Sequence, residues 1–154
     1  MILGVNGQAV GVIVAVHLAS GALGGALMPS RRSAAALGVA LHAVGDSIPH
    51  HDIASRRFEV ACGMGGVLLL AITNGPFART TLGAIASAAP DVEHVVRLPR
   101  PGGRKLFPTH RVSRWHRAGG VTTDAQLFVA GIGLGWIVGA HARRRNGQPT
   151  SPIA

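Results

Sequence analysis

Charge is what this sequence has least of. Only 14% of its 154 residues are charged, against about 25% in an ordinary soluble domain. The shortage is concentrated: residues 1–30 contain no Asp, Glu, Lys or Arg, and 60–78 and 125–142 are further uncharged runs. Each offers about the 20 residues that a helix needs to cross a bilayer. With 47% apolar residues and a mean hydropathy of +0.34, the composition excludes a well-solvated surface of the usual kind. Cysteine is almost absent as well. Cys62 alone permits no intrachain disulfide and leaves the redox compartment open; its small neighbours Ala61, Gly63, Gly65 and Gly66 suit a packing role. The first run lacks a basic leader, since the first basic residue is Arg31, so it reads as a retained helix and not as a secretory signal. No Ser-His-Asp signature and no phosphate-cradling glycine loop is evident, which leaves metal-assisted hydrolysis without a rival mechanism.

What is present predicts an all-α fold, a multi-pass transmembrane helical bundle in one domain over residues 1–145 with a disordered tail at 146–154. Five hydrophobic segments fall at 8–28, 33–48, 58–73, 77–89 and 125–141. The second and fourth are short: at the α-helical rise, 16 and 13 residues reach about 24 and 20 Å, less than the ~30 Å hydrocarbon core. Helices that short end in a protein-lined polar cavity. Both are expected to stop at a proline, Pro49 and Pro90. Gly21 and Gly25 have the spacing that lets helices approach closely. A faint echo links 21–30 (GALGGALMPS) with 82–91 (LGAIASAAPD). The polar stretch 91–124 reads as a basic loop, with a short interfacial helix over 107–117 that sets Trp115 at headgroup level.

The formal charge is +9, from fourteen Arg and one Lys against six carboxylates. Anionic lipid, a phosphate-bearing substrate and nucleic acid are the partners such a balance attracts. Membrane embedding favours the first two, and no nucleic acid is expected. Nine basic residues fall on the motif-bearing side (Arg56, Arg57 and the seven after Asp91) and six on the other, which by the positive-inside rule puts the motifs in the cytoplasm.

The carboxylates gather around histidines. Asp46 follows His42 by four residues, Asp52 follows His50 and His51, and Asp91 and Glu93 precede His94. His42 and Asp46 therefore share one helix face, either as two ligands of one cation or as ligand and orienting carboxylate. His50 arrives just past Pro49. Only one helix separates segments two and four, so both clusters emerge on the same side and can meet. His17, alone within the first uncharged run, is costly in hydrocarbon and is a ligand candidate or a hydrogen-bonded packing residue. His110 and His116 come from the basic stretch on the same side. His17, His42, Asp46, His50, Asp91, His94 and His110 make up the candidate metal set. Zinc is the first choice for such nitrogen and oxygen donors, with manganese and iron as alternatives. His51 and Asp52 suit a solvent-facing position, with Asp52 as a helix cap. Asp124 reads as another cap and His141 as an interfacial residue.

These residues resemble those of a family of small bacterial membrane proteins related to the inner-membrane metal-dependent hydrolases. The matching pieces are His17 with Gly21, then HAVGDSIPHHD (42–52), GAIASAAPDVEH (83–94) and FPTHRVSRWHR (107–117). The His-x-x-x-Asp stretch is also similar in kind to the helix-borne ligands of zinc-dependent phospholipase C enzymes. The chain differs from the better-known hydrolase branch in having His110-Arg111 where that branch has a histidine-serine pair. The resemblance implies the cytoplasmic membrane of a bacterium and a metal-dependent hydrolase.

Two function classes follow. In the first, a bound metal acidifies a water, Glu93 and His116 are the catalytic candidates with Glu93 as base, and Arg97, Arg111 and Arg114 grip phosphate oxygens of a phosphoester or lipid headgroup. In the second, the metal is structural or cargo and the basic loop binds anionic lipid. An open coordination position distinguishes the first from the second.

Overall fold

The computed structural model describes residues 13–51, 55–96, 98–111 and 119–147. They form helices α1 (Val14–Leu27), α2 (Arg31–Ser47), α3 (Arg56–Asn74), α4 (Arg79–Ala88), α5 (Val92–Val95) and α6 (Thr123–Arg145), joined in places by 3₁₀ turns; no strand occurs among the described residues. Helices α1, α2, α3, α4 and α6 fall in the five expected hydrophobic segments, of which residues 8–12 of the first lie outside the described residues. Their ends differ from the expectation in an orderly way. α2 and α3 each begin with an Arg-Arg pair that the apolar pattern leaves out, and α6 runs on into Arg143, Arg144 and Arg145, cations placed favourably against the negative end of the helix dipole.

Caps explain the starts. Ser30 and Ser33 form a capping box on α2, each hydroxyl accepting the other's backbone N–H at 3.1 Å. Ser55 caps α3. Thr122 caps α6 and leaves Asp124 in its first turn, while Asp52 lies outside the described residues. α1 has no local cap. Its Val14 N–H donates instead to Oε2 of Glu59, 2.8 Å away in the first turn of α3, so a distant carboxylate satisfies one of the orphan donors of that terminus.

The helix stops before Pro90 as expected, with α4 ending at Ala88; what the expectation lacks is the 3₁₀ turn, Ala89–Asp91, that leads on into α5. Proline is tolerated because it opens a new turn, where its missing N–H breaks no bond. The result places Asp91 and Glu93 on a continuous, bent helical path. Of the anticipated 107–117 helix, the described residues 107–111 hold one 3₁₀ turn, Thr109–Arg111, and 112–117, Trp115 among them, lie outside the described residues. In the tail, Asn146 and Gly147 close α6, and 148–154 lie outside the described residues.

α1, α2 and α4 pack at a single crossing. A side-chain carbon added at either Gly21 or Gly38 would collide with the carbonyl oxygen of Gly83, so three backbones meet where only glycine fits. Leu18, Ala22, Leu70, Ala84 and Ile137 form the buried core beside this crossing.

Among the described residues, α3 and α6 are the two helices long and apolar enough to cross a membrane, with 19 and 23 residues. Their most apolar stretches are only 11% and 22% buried, unlike the core helix of a water-soluble fold. Met64, Leu68 and Ile72 on α3 and Phe128, Val129 and Ile132 on α6 lie exposed instead. Residues after α2 lock against the approach to α6: Val121 N–H donates to Pro49 O at 3.1 Å, and His51 N–H donates to Val121 O at 3.0 Å.

Candidate metal centre

Four side chains from three parts of the chain converge at the end of α2. His42 and Asp46 stand one turn apart on α2, with His42 Nε2 3.1 Å from Asp46 Oδ2. The turn after α4 brings Asp91, whose Oδ1 is 3.8 Å from His42 Nε2. His110, on the turn Thr109–Arg111, points its Nε2 at all three: 3.3 Å to His42 Nε2, 3.5 Å to Asp46 Oδ2 and 3.6 Å to Asp91 Oδ1. Four ligands placed tetrahedrally about 2.1 Å from a zinc ion stand about 3.4 Å apart. The five separations that involve a histidine span 3.1 to 3.8 Å, close to the spacing of ligand atoms around one such ion.

Burial sharpens the point. Asp46 is fully buried and Asp91 is 3% exposed, yet among the described residues no oxygen of either carboxylate accepts a well-formed hydrogen bond. Buried carboxylates without donors are expensive, and their company here is histidine nitrogens, which are acceptors wherever they are unprotonated. A cation at the centre of the four atoms satisfies all of them. His17 adds a fifth group on the far edge: its Nε2 is 3.5 Å from Asp46 Oδ1, and its ring lies 4.3 Å from that of His42. Asp46 thus faces His17 with one oxygen and the tetrad with the other.

Glu93 sits behind His110. Its Oε1 is 2.5 Å from His110 Nδ1, while Oε2 accepts the backbone N–H of Leu106 at 2.6 Å and Oε1 that of Phe107 at 3.4 Å. A carboxylate at Nδ1 fixes the proton there and turns the Nε2 lone pair toward the tetrad, the usual support of a histidine ligand. Burial works to raise the Glu93 pKa, but His110 and the two backbone donors outweigh it and hold the carboxyl below its ordinary value. Burial likewise works against a charged His110, and Asp91 and Glu93 overcome it, lifting that pKa. Both shifts describe a site that draws positive charge to the tetrad. His17 and His42 lack this support, since each has a buried Nδ1 without a partner.

His94 lies on the Glu93 side, its Nε2 3.2 Å from His110 Nδ1. Burial, with Lys105 and His110 close by, pushes its pKa down to about 4, which leaves it neutral at pH 7. Glu93, His94 and His110 form a second group of ligand atoms close enough to hold an ion, beside His17, His42 and Asp46 and beside His42, Asp91 and His110.

The other expected site residues are placed differently. His50 Nδ1 is 2.7 Å from the carbonyl oxygen of Ile48, and its backbone is tied to the 119–121 turn, so it lines a small cavity beyond His17 and stands outside the tetrad. Arg111 braces its own loop, donating from Nε to Lys105 O at 2.5 Å and from Nη2 to Leu106 O at 3.1 Å. Arg97, Arg114 and His116 lie outside the described residues. Glu59 was not anticipated. A single carboxylate in the otherwise apolar α3 is the signal that marks it.

Comparison of the chain with protein-family models, with curated proteins and with solved structures finds no match.

Proposed function

We propose that the chain is a membrane-embedded, metal-dependent hydrolase acting on a phosphoester at the membrane surface. The observation that carries the reading is the cluster of His42, Asp46, Asp91 and His110, in which each histidine nitrogen lies within 3.8 Å of both carboxylates and 3.3 Å from the other. Its donors are nitrogen and oxygen alone. Structural zinc sites are rich in thiolate, whereas hydrolytic ones use histidine and carboxylate. Zinc fits this set first, and manganese and iron are the alternatives.

In this reading all five hydrophobic segments belong to a multi-pass bundle in the cytoplasmic membrane of a bacterium, with α3 and α6 spanning and the shorter α1, α2 and α4 packed around the site. A bound divalent cation would acidify water and polarise a phosphoryl oxygen. The residues supply the rest. Glu93 holds His110 in register, and Asp91, which faces the tetrad through Oδ1 and also lines the groove beside α3, is the carboxylate placed to receive a proton from water. Water oxygen becomes bonded to phosphorus, the ester P–O bond breaks, and the leaving oxygen takes a proton. Arg97 and Arg114 remain the candidates to hold phosphate oxygens.

The test is metal analysis of detergent-purified protein together with a panel of phosphoesters. The reading requires stoichiometric metal, its loss in His110→Ala, and turnover that chelation abolishes and metal restores. Wild-type protein that carries no metal sinks it. A second reading, a non-catalytic metal-binding or metal-transporting protein, is favoured by one feature: four protein side chains offer donor atoms at this one place. X-ray absorption of the metal-loaded protein separates the two, because a catalytic ion shows a water ligand and a closed one does not.

A further inference from the structure

A groove of about 620 Å³ runs between α3 and the α4–α5 path. Val60, Met64, Val67 and Leu68 line it from α3, and Ile85 and Val92 from the other side. Its lips are open: Met64 is 70% and Leu68 60% exposed, so the groove opens sideways onto the same apolar surface that α3 presents outward. Its polar groups gather toward one end. Asp91 of the tetrad is in its wall, with Glu59 nearby in the first turn of α3. Arg56 and Arg57 stand at that same end, in a depression that shares Val60 and Met64 with the groove. Arg56 donates from Nη2 to Val95 O, which ties α3 to α5 there, and Arg57 is exposed.

We infer that this groove holds one acyl chain of a phospholipid, with the phosphate at the Arg57 end beside the metal centre. This rests on the hydrolase reading for the reaction and names its substrate class as a membrane lipid. Three independent features select that occupant. The walls are apolar along their length, which suits a hydrocarbon chain and disfavours a polar one. The basic pair lies where a phosphate attached to that chain would fall, and guanidinium groups recognise phosphate well. The groove and the tetrad share Asp91, so a chain seated in one brings its headgroup to the other. A soluble phosphoester needs none of this apolar length.

The experiment uses the full chain in vesicles of phosphatidylethanolamine and phosphatidylglycerol doped with a phosphatidylglycerol that bears a photoactivatable diazirine on its acyl chain. Labelling is mapped by peptide. Segment 59–71 should be labelled in excess of the outer face of α6, which meets bulk lipid alone, and the excess should vanish in Ala71→Trp and in Val60→Trp while α6 labelling is unchanged. Metal content of the same variants serves as the folding check, since no tetrad ligand lies on α3. Labelling of α3 that merely equals that of α6, or an excess that survives both substitutions in metal-replete protein, overturns the groove assignment. A cross-link joining two copies of the chain through this face overturns it as well. With turnover in hand, Ala71→Trp should raise KM for a long-chain lipid about tenfold, the factor for roughly two methylenes left unburied, and leave KM for a short soluble phosphoester unchanged. Equal effects on both would leave the hydrolase standing and remove the acyl site. Labelling excess without any hydrolysis would remove the hydrolase and keep the acyl site.

Discussion

Glu93 and Asp46 approach the same imidazole from opposite sides: Glu93 Oε1 is 2.5 Å from His110 Nδ1, and Asp46 Oδ2 is 3.5 Å from His110 Nε2. The sequence places Glu93 between two candidate ligands and so marks it as a base. The structure gives its carboxylate three partners behind His110, and its geometry there is that of an orienting group. The two roles predict different kinetics. If Glu93 orients His110, Glu93→Gln should weaken metal affinity by the 10- to 100-fold that such partners contribute, and excess metal should restore turnover. If it is the base, metal binding should hold while turnover stays down by about 10²- to 10⁴-fold at saturating metal. We expect the first pattern, read from metal titration and rate on one preparation.

Chelation should destabilise the fold as well as empty the site. Asp46 and Asp91 are buried with histidine nitrogens facing their oxygens, so without a cation the site must take up protons to balance its charge. Metal at 100 times its dissociation constant adds about 2.7 kcal/mol to stability. Melting of detergent-solubilised protein should therefore fall on chelator addition and recover with metal. Asp46→Ala and His110→Ala should melt at one temperature with or without metal. A wild-type melting point indifferent to chelator would remove the cation from the tetrad.

The His42–Asp46 pair and its meeting with Asp91 are legible in the sequence, because a four-residue spacing fixes a helix face and segment order fixes which ends can meet. His17 and His110 are legible as isolated polar groups in or near apolar chain. Other features turn on tertiary geometry. His50 is adjacent to the site in sequence, but after Pro49 the backbone pairs with the 119–121 turn and the ring Nδ1 meets the Ile48 carbonyl. Pro90 reads as a helix stop, and nothing local says that the chain will restart in the next turn. The role of Glu93 depends on where the 105–110 loop lands, and the reach of Glu59 to Val14 crosses 45 residues. The faint echo between 21–30 and 82–91 has a physical reading: Gly21 and Gly25 on α1 pack on Gly83 of α4, so the two segments share small residues because each is one side of one contact.

That contact makes its own prediction. Gly83→Val must force apart α1 and α4, since an added carbon at Gly83 would collide with the Gly21 carbonyl and crowd Gly25. Overpacking of a tight contact costs about 1–3 kcal/mol, and this one abuts backbone that cannot swing aside. Gly65→Ala, where an added carbon meets nothing within 4 Å, should be nearly neutral and stabilise α3 slightly through helix propensity. Thermal melting of the two variants in one detergent tests the difference. Equal melting points would mean that the helices are not as close as the structure has them.

Membrane residence is the last prediction, and it follows from where apolar surface lies. The apolar stretches of α3 and α6 are only 11% and 22% buried, and exposed side chains such as Leu68, Ile72, Phe128 and Ile132 cover their outer faces. Monomeric soluble proteins rarely leave large contiguous apolar patches in water, and each helix has the length to cross the hydrocarbon core. The expressed chain should stay in the membrane pellet through an alkaline carbonate wash and leave it only with detergent. Single substitutions sharpen the test: Leu68→Arg or Ile132→Arg, at the middle of α3 or α6, should reduce insertion, since an arginine at the centre of a spanning helix costs about 2.5–3.5 kcal/mol. Arg143→Ala, at the end of α6, should have little effect. Recovery of wild-type chain in the wash supernatant would mean that these faces are covered by protein, and the two-span reading would give way to a soluble helical assembly.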